Sequence, residues 1–144
     1  MILFDTSVYI GAIRGELDWN VIAVPTRAGG VRLSSVVAFE LLVGARSPED
    51  KRDLRAVVRQ FAQTGWVLTP TLEDWTAAAD LIGRHSRVHG HIEARDHLAD
   101  VLLVLSAGQM RGEVVTTDIS HLRRWVRAAR RSGVEVRATP LAVA

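Results

Sequence analysis

The strongest constraint on this chain is an alternation of apolar runs too short for helices with segments of helical spacing. Ile2-Leu3-Phe4 precedes a helical pattern over Ser7 to Gly15, and Val31 to Leu33 precedes VVAFELLVGA. Trp66-Val67-Leu68 precedes a segment with Trp75, Ala78, Ala79 and Ile82 at helical spacing, and Val114-Val115 precedes a basic helix over His121 to Arg131. Val134-Glu135-Val136 reads as the last strand. Parallel strands need crossovers, and helical crossovers cover both faces of the sheet. The pattern therefore predicts an α/β fold with a short, mostly parallel central sheet and helices on both faces. A chain of 144 residues suits one core and leaves little room for a second, so one domain is expected over 1–144.

Local signals mark the helix ends. Ser34-Ser35 offers an N-cap ahead of VVAFELLVGA, whose apolar density reads as a buried helix stopping near Gly44. Ser47-Pro48-Glu49-Asp50 places Pro in a first turn and acids at the positive end of the dipole, and Gly65 closes that helix. Thr71-Leu72-Glu73-Asp74 caps the next. Glu16 to Gly30, with Pro25, Gly29 and Gly30, leaves helix and loop both open. RHSRVHGHIEARDH, from Arg84 to His97, reads as a polar, His-rich connection before a helix over about Asp96 to Met110.

Cysteine is absent, which excludes a disulfide framework, a thiolate zinc site and a cysteine nucleophile. MILFDTSVYI has no basic leader and carries Asp5 within its apolar run, and no apolar stretch reaches spanning length. A soluble, cytoplasmic protein with no membrane partner is expected. Eighteen basic residues against 16 acids leave a net charge of +2, and all the basic residues but Lys51 are Arg. Codon bias explains that as readily as a preference for phosphate partners does. Setting aside five acids argued below to share a pocket leaves 11 against 18 bases, an acidic hole in a basic body. Such a body suits an enzyme acting on a polyanion.

Those acids stand where a parallel sheet presents its ligand site, at the carboxyl ends of strands. Asp5 follows Ile2-Leu3-Phe4 directly, and Asp118 follows Val114-Val115 after Thr116-Thr117. Glu40 lies inside VVAFELLVGA, and Asp100 lies just ahead of VLLVLSA. A carboxylate among apolar residues is costly unless paired or bound to a cation. Only Arg95 and His97 stand near Asp100 in helical register. Several carboxylates without Cys or a convincing His pair suggest a hard cation with oxygen ligands, Mg²⁺ or Mn²⁺. Such a cation acidifies water and neutralises charge on a phosphate oxygen, which suggests hydrolysis of a phosphodiester.

In order and spacing, MILFDTSVYI, the Glu40 helix, DVLLVLSA and VVTTD resemble the four acidic motifs of PIN-domain ribonucleases, most closely the VapC toxins of bacterial toxin–antitoxin pairs. The likeness covers nearly the whole chain. It implies the PIN fold, with three layers, and a Mg²⁺- or Mn²⁺-dependent endoribonuclease inhibited by a cognate antitoxin whose C-terminal segment wraps over the active site. Residue by residue, the resemblance makes Asp5, Glu40, Asp100 and Asp118 the four acids. Asp5, Asp100 and Asp118 would be direct or water-mediated metal ligands, and Glu40 would orient the attacking water or help hold a second ion. Ser7 and Thr116 match the hydroxyl positions that support the carboxylates. The chain departs from the family at Val104 and Leu105, which are bulky where small residues are usual. A homodimer is also expected from the resemblance.

Blander readings compete with several of these residues. Asp5 and Asp118 could each serve as an N-cap, and Asp118 could do both jobs. Asp96, four residues before Asp100, is read first as a helix cap and second as a peripheral member of the acidic pocket. His85, His89, His91 and His97 match no zinc signature and read as solvated, with RNA contact a lesser reading. Trp19, Trp66, Trp75 and Trp125 read as core or interface. Arg123, Arg124, Arg127, Arg130 and Arg131 form a basic helix face that could be solvated or could bind phosphate. A phosphoacceptor receiver would need a late strand-end Lys, and the sole Lys is Lys51 at a helix start. A haloacid-dehalogenase-type phosphatase would need Asp-x-Asp where this chain has Asp5-Thr6-Ser7. The alternative that remains is a non-catalytic PIN-type module binding RNA or protein, which should have lost an acid.

Overall fold

In the computed structural model, which describes residues 1–142, the first apolar run forms β1 (Ile2–Phe4) at the centre of a five-stranded sheet. It is flanked by β2 (Val31–Ser34) and β4 (Glu113–Thr116), with β3 (Val67–Leu68) and β5 (Arg137–Pro140) at the edges. The order is β3-β2-β1-β4-β5 and every pairing is parallel, with Leu3 opposite Arg32 on one side and Val114 on the other. Successive strand residues face opposite sides of a sheet. Leu3 and Phe4 are both buried, as are Val114 and Val115, so helices cover both faces as expected. The chain leaves β1 towards β2 on one side and later returns to lay β4 on the other. The strand order therefore reverses beside β1, where a parallel sheet opens a crevice at its carboxyl end.

Among the described residues, seven helices join these strands: α1 (Thr6–Ile13), α2 (Asn20–Arg27), α3 (Ser35–Gly44), α4 (Pro48–Thr64), α5 (Leu72–His89), α6 (Ala94–Gly108) and α7 (Arg123–Arg131). The capping signals act where the sequence places them. Ser34 Oγ accepts from Val36 N at the start of α3, and Ser47 Oγ accepts from Asp50 N ahead of Pro48 in α4. Gly65 closes α4 in the left-handed region (φ 73°), which favours glycine. Thr71 and Asp74 form a reciprocal capping box on α5. The stretch after Glu16, open between helix and loop in the sequence, is helical as α2, with Pro25 inside it.

Four expectations need correction. The segment from Arg84 to His89 is not a connection: α5 runs on to His89, because nothing interrupts it before Gly90, whose N–H bonds Ser86 O. The connection is only 90–93. The last strand lies at Arg137–Pro140, three residues beyond Val134-Glu135-Val136. Val134 N instead donates to Ala129 O behind α7, Val136 is buried, and pairing begins with Arg137 N to Gly112 O. The strand that pairs is mostly exposed and lacks an apolar pattern. The Glu40 helix, α3, is not wholly buried: Val37 and Leu41 are in the core, but Phe39 is 67% exposed and Val43 69%. Finally, Asp96 is not the cap of α6. Glu93 holds that position without a side-chain bond, and exposed Asp96 sits in the first turn.

Candidate active site

Asp5 is placed by the end of β1 and the start of α1 together. It is the N-cap of α1, its Oδ1 accepting from Thr6 N at 2.8 Å, and it is buried at 6% exposure. Its other oxygen accepts from Thr116 Oγ1 at 2.8 Å and from Ser7 Oγ at 3.3 Å. Thr116 ends β4, next to β1, and its fully buried hydroxyl also accepts from Asp118 N at 3.1 Å. A hydroxyl has one proton to donate. Given to Asp5, it locks the carboxylate to β4, while the lone pairs turn the chain that carries Asp118. Ser7 Oγ accepts from Thr117 N at 3.3 Å and ties α1 to the same turn. Ser7 and Thr116 thus both stand within hydrogen-bond distance of the Asp5 carboxylate.

The other acids arrive from different directions. Glu40, half-buried on α3, accepts from Thr6 Oγ1 at 2.9 Å across 34 residues of sequence. Asp100, on the second turn of α6, has a side chain 25% exposed. Asp118 is exposed on the loop after β4, where its Oδ1 accepts from Ser120 N and from Ser120 Oγ. It thus caps the turn before α7 rather than α7, whose N-cap Leu122 makes no side-chain bond.

His121 gathers three of them. Its Nε2 stands 3.7 Å from Asp5 Oδ2 and 3.7 Å from Asp100 Oδ1, and its Nδ1 stands 3.5 Å from Asp118 Oδ2. Sequence reasoning missed His121 and Thr6. Thr6 follows an acid directly, but nothing in one dimension links it to Glu40. His121 lies three residues past Asp118, and that proximity was its only signal. Arg95 and His97, the cations in helical register with Asp100, form no ion pair with it, and neither they nor Asp96 are among the charges that shift its carboxyl. Asp96 is exposed in the first turn of α6, one turn before Asp100.

The electrostatics follow from this crowding. Burial pushes the Asp100 carboxyl up to about 6; His121 opposes the shift, and Asp5, Glu40 and Asp118 add to it. Burial also raises Glu40, with the Thr6 hydrogen bond opposing it and Asp5 adding. Asp118 goes the other way, held below the usual carboxylate range by its two bonds from Ser120. Among the described residues, no three His, Asp or Glu side chains form a ready-made metal cage. Mg²⁺ does not require one, since it usually takes one or two carboxylates and keeps its waters. The oxygen donors of Asp5 and Asp100, bridged by one imidazole and by no Arg or Lys, fit a hard cation of that kind.

A family model described as the PIN domain matches residues 2–134. The chain belongs to the PIN domain family. No curated protein matches it in sequence. Among solved structures, this PIN domain is similar to a chain of VapBC2 from Rickettsia felis bound to a DNA fragment from their promoter. The TM-score is 0.67 at 16% identity, over 99% of this chain and 100% of that one. DNA-bound VapBC from Salmonella typhimurium gives 0.66 at 18%, over 95% and 96%. FitAcB from Neisseria gonorrhoeae gives 0.64 at 24%, over 94% and 96%. At these identities the likeness establishes the fold, and it agrees with the α/β architecture read from the sequence. Among the described residues, no helix is long and apolar enough to cross a membrane.

Proposed function

We propose that the chain, one PIN domain over 1–144, is the toxin of a type II toxin–antitoxin pair, a Mg²⁺- or Mn²⁺-dependent endoribonuclease. The observation that carries this reading is the meeting of Asp5, Glu40, Asp100 and Asp118 at the carboxyl ends of β1 and β4. Three of the four share His121 and, among the described residues, none has an Arg or Lys partner. When bound, the cation supplies charge neutralisation at the phosphate and an acidified water. Asp5 and Asp100 would hold it, with Asp118 reaching it through water. Thr116 and Ser7 keep the Asp5 carboxylate in one orientation, so the site needs little rearrangement as charge grows. Glu40, raised by burial and steadied by Thr6, is suited to take the proton of the attacking water. That water's oxygen bonds to phosphorus as the bond to the leaving nucleotide breaks.

The antitoxin is proposed from the resemblance to VapC toxins and from the VapBC and FitAB complexes among the similar structures. A cavity of about 430 Å³ between α3 and α6, lined by Val36, Phe39, Pro70, Trp75, Leu98 and Leu102, offers an apolar seat beside the acids. We assign it to a segment of that antitoxin. Residence in the cytoplasm and a homodimer belong to the same reading, and light scattering of the purified chain tests the dimer. The nuclease is tested by incubating total RNA with the protein plus Mg²⁺, Mn²⁺ or EDTA, beside Asp5→Asn and Asp100→Asn. Discrete metal-dependent fragments, lost in both variants, are expected. Intact RNA with antitoxin-free protein and either metal would instead favour the non-catalytic binding module.

A further inference from the structure

A second site lies between α5 and α7. The extension of α5 to His89 brings its last turns alongside α7 and encloses a cavity of about 310 Å³. Its walls carry Arg84, His85 and His89 from α5 and Arg124, Arg127 and Arg131 from α7; Leu81 and Ala128 lie among them. All four arginines are exposed. Among the described residues, the arginines in ion pairs are Arg52 and Arg111 and none of these four. Four guanidinium groups around one hollow, without an acid to neutralise them, repel one another unless an anion enters.

The arrangement favours a chain of phosphates over an acidic peptide. Arg124, Arg127 and Arg131 are spaced three and four residues apart, so they form one row along a helix face, repeating about every 5.4 Å turn. Guanidinium forks match phosphate oxygens in pairs. The His85 and His89 rings lie 4.7 Å apart between centroids, and His89 is exposed, which offers a base a surface for stacking. A carboxylate peptide would have no use for it. The cavity is also tied to the acid cluster. His85 lies 5.3 Å from Trp125 and His97 lies 5.5 Å from the same ring, and His97 stands one turn before Asp100 on α6. Arg124, which opens the row, is three residues past His121.

We propose that this groove holds the sugar–phosphate backbone of single-stranded RNA flanking the cleaved bond, with the arginines on successive phosphates and His89 against a base. The proposal rests on the reading of the acid cluster as an RNA-cleaving site and names how that site holds the rest of its substrate. It makes the row a set of binding residues and gives them no part in the chemistry.

The test uses Arg127→Ala/Arg131→Ala, whose side chains are exposed, with thermal melting as the check on folding. Binding of a fluorescent 20-nucleotide oligouridylate is measured by anisotropy in EDTA at several salt concentrations. The double variant is expected to bind about tenfold more weakly. Its slope of log affinity against log salt should be shallower by about 1.4, at roughly 0.7 for each phosphate no longer neutralised. With Mg²⁺, KM for the 20-mer should rise while kcat/KM for a dinucleotide stays at the wild-type level. Unchanged affinity and slope would overturn the proposal. If neither protein cleaves RNA, the nuclease reading fails separately. The anisotropy comparison then still decides whether the groove holds RNA.

Discussion

At Asp100 a single carboxyl carries a stability cost that reverses on binding a cation. Its group titrates near 6 in the folded protein and near 3.8 when solvated. Well below pH 3.8 it is protonated in both states and contributes nothing. Between 4 and 6 the folded protein holds a proton that the unfolded chain has released, so stability falls as pH rises through that window, and the penalty is complete above it. Glu40 acts in the same direction. Metal-free Asp100→Asn should therefore melt higher than wild type at pH 7.5 and lose most of that difference at pH 4, as read by differential scanning calorimetry in EDTA. Equal melting temperatures at pH 7.5 would contradict the burial argument. Thr116 makes the opposite case. Thr116→Val keeps the shape but removes the donor to Asp5 and the acceptor for Asp118 N–H, and it should cost about 1–3 kcal/mol in urea unfolding. The proposed nuclease activity should fall with it, because Asp5 would be free to turn.

At the scale of elements, close packing at the start of β4 predicts a sharp intolerance. A Cβ on Gly112 would come within 2.5 Å of the Met1 carbonyl oxygen, the atom that accepts from Glu113 N and sets the β1–β4 register. Backbone cannot swing aside as a side chain can. Gly112→Ala should destabilise by about 1–3 kcal/mol, read as a lower denaturation midpoint with the m-value unchanged. Thr71→Ala, by contrast, removes a surface cap and should cost only about 1 kcal/mol. Helix starts were legible because caps are local chemistry: Ser34, Ser47 and Thr71 each bond a backbone N–H within three residues. Helix ends and edge strands were less legible. α5 outran its apolar pattern because His85 packs on Trp125, 40 residues later. β5 has no apolar pattern because its partner supplies one side only and the other edge is open.

For the whole molecule, binding a cation between acids from β1, α6 and the loop after β4 would link folding to that ion. Mg²⁺ or Mn²⁺ should raise the melting temperature of wild type, by about 2.7 kcal/mol of stability at a hundred times Kd, and should do far less for Asp5→Asn. A shift of equal size in both proteins would place the ion elsewhere. The alternation of short apolar runs and helices was enough by itself to determine a parallel α/β sheet, since period and length dictate which segments pair and which cover them. The order of the acids was enough to point to the candidate site, because strand ends in such a sheet converge. Only the tertiary structure decided what stands around those acids. His121 bridges three of them, Thr6 reaches Glu40, and a row of arginines on α7 meets histidines on α5. The physical reason is range: capping and periodicity act within a few residues, whereas burial and charge depend on neighbours that the chain brings together from far apart.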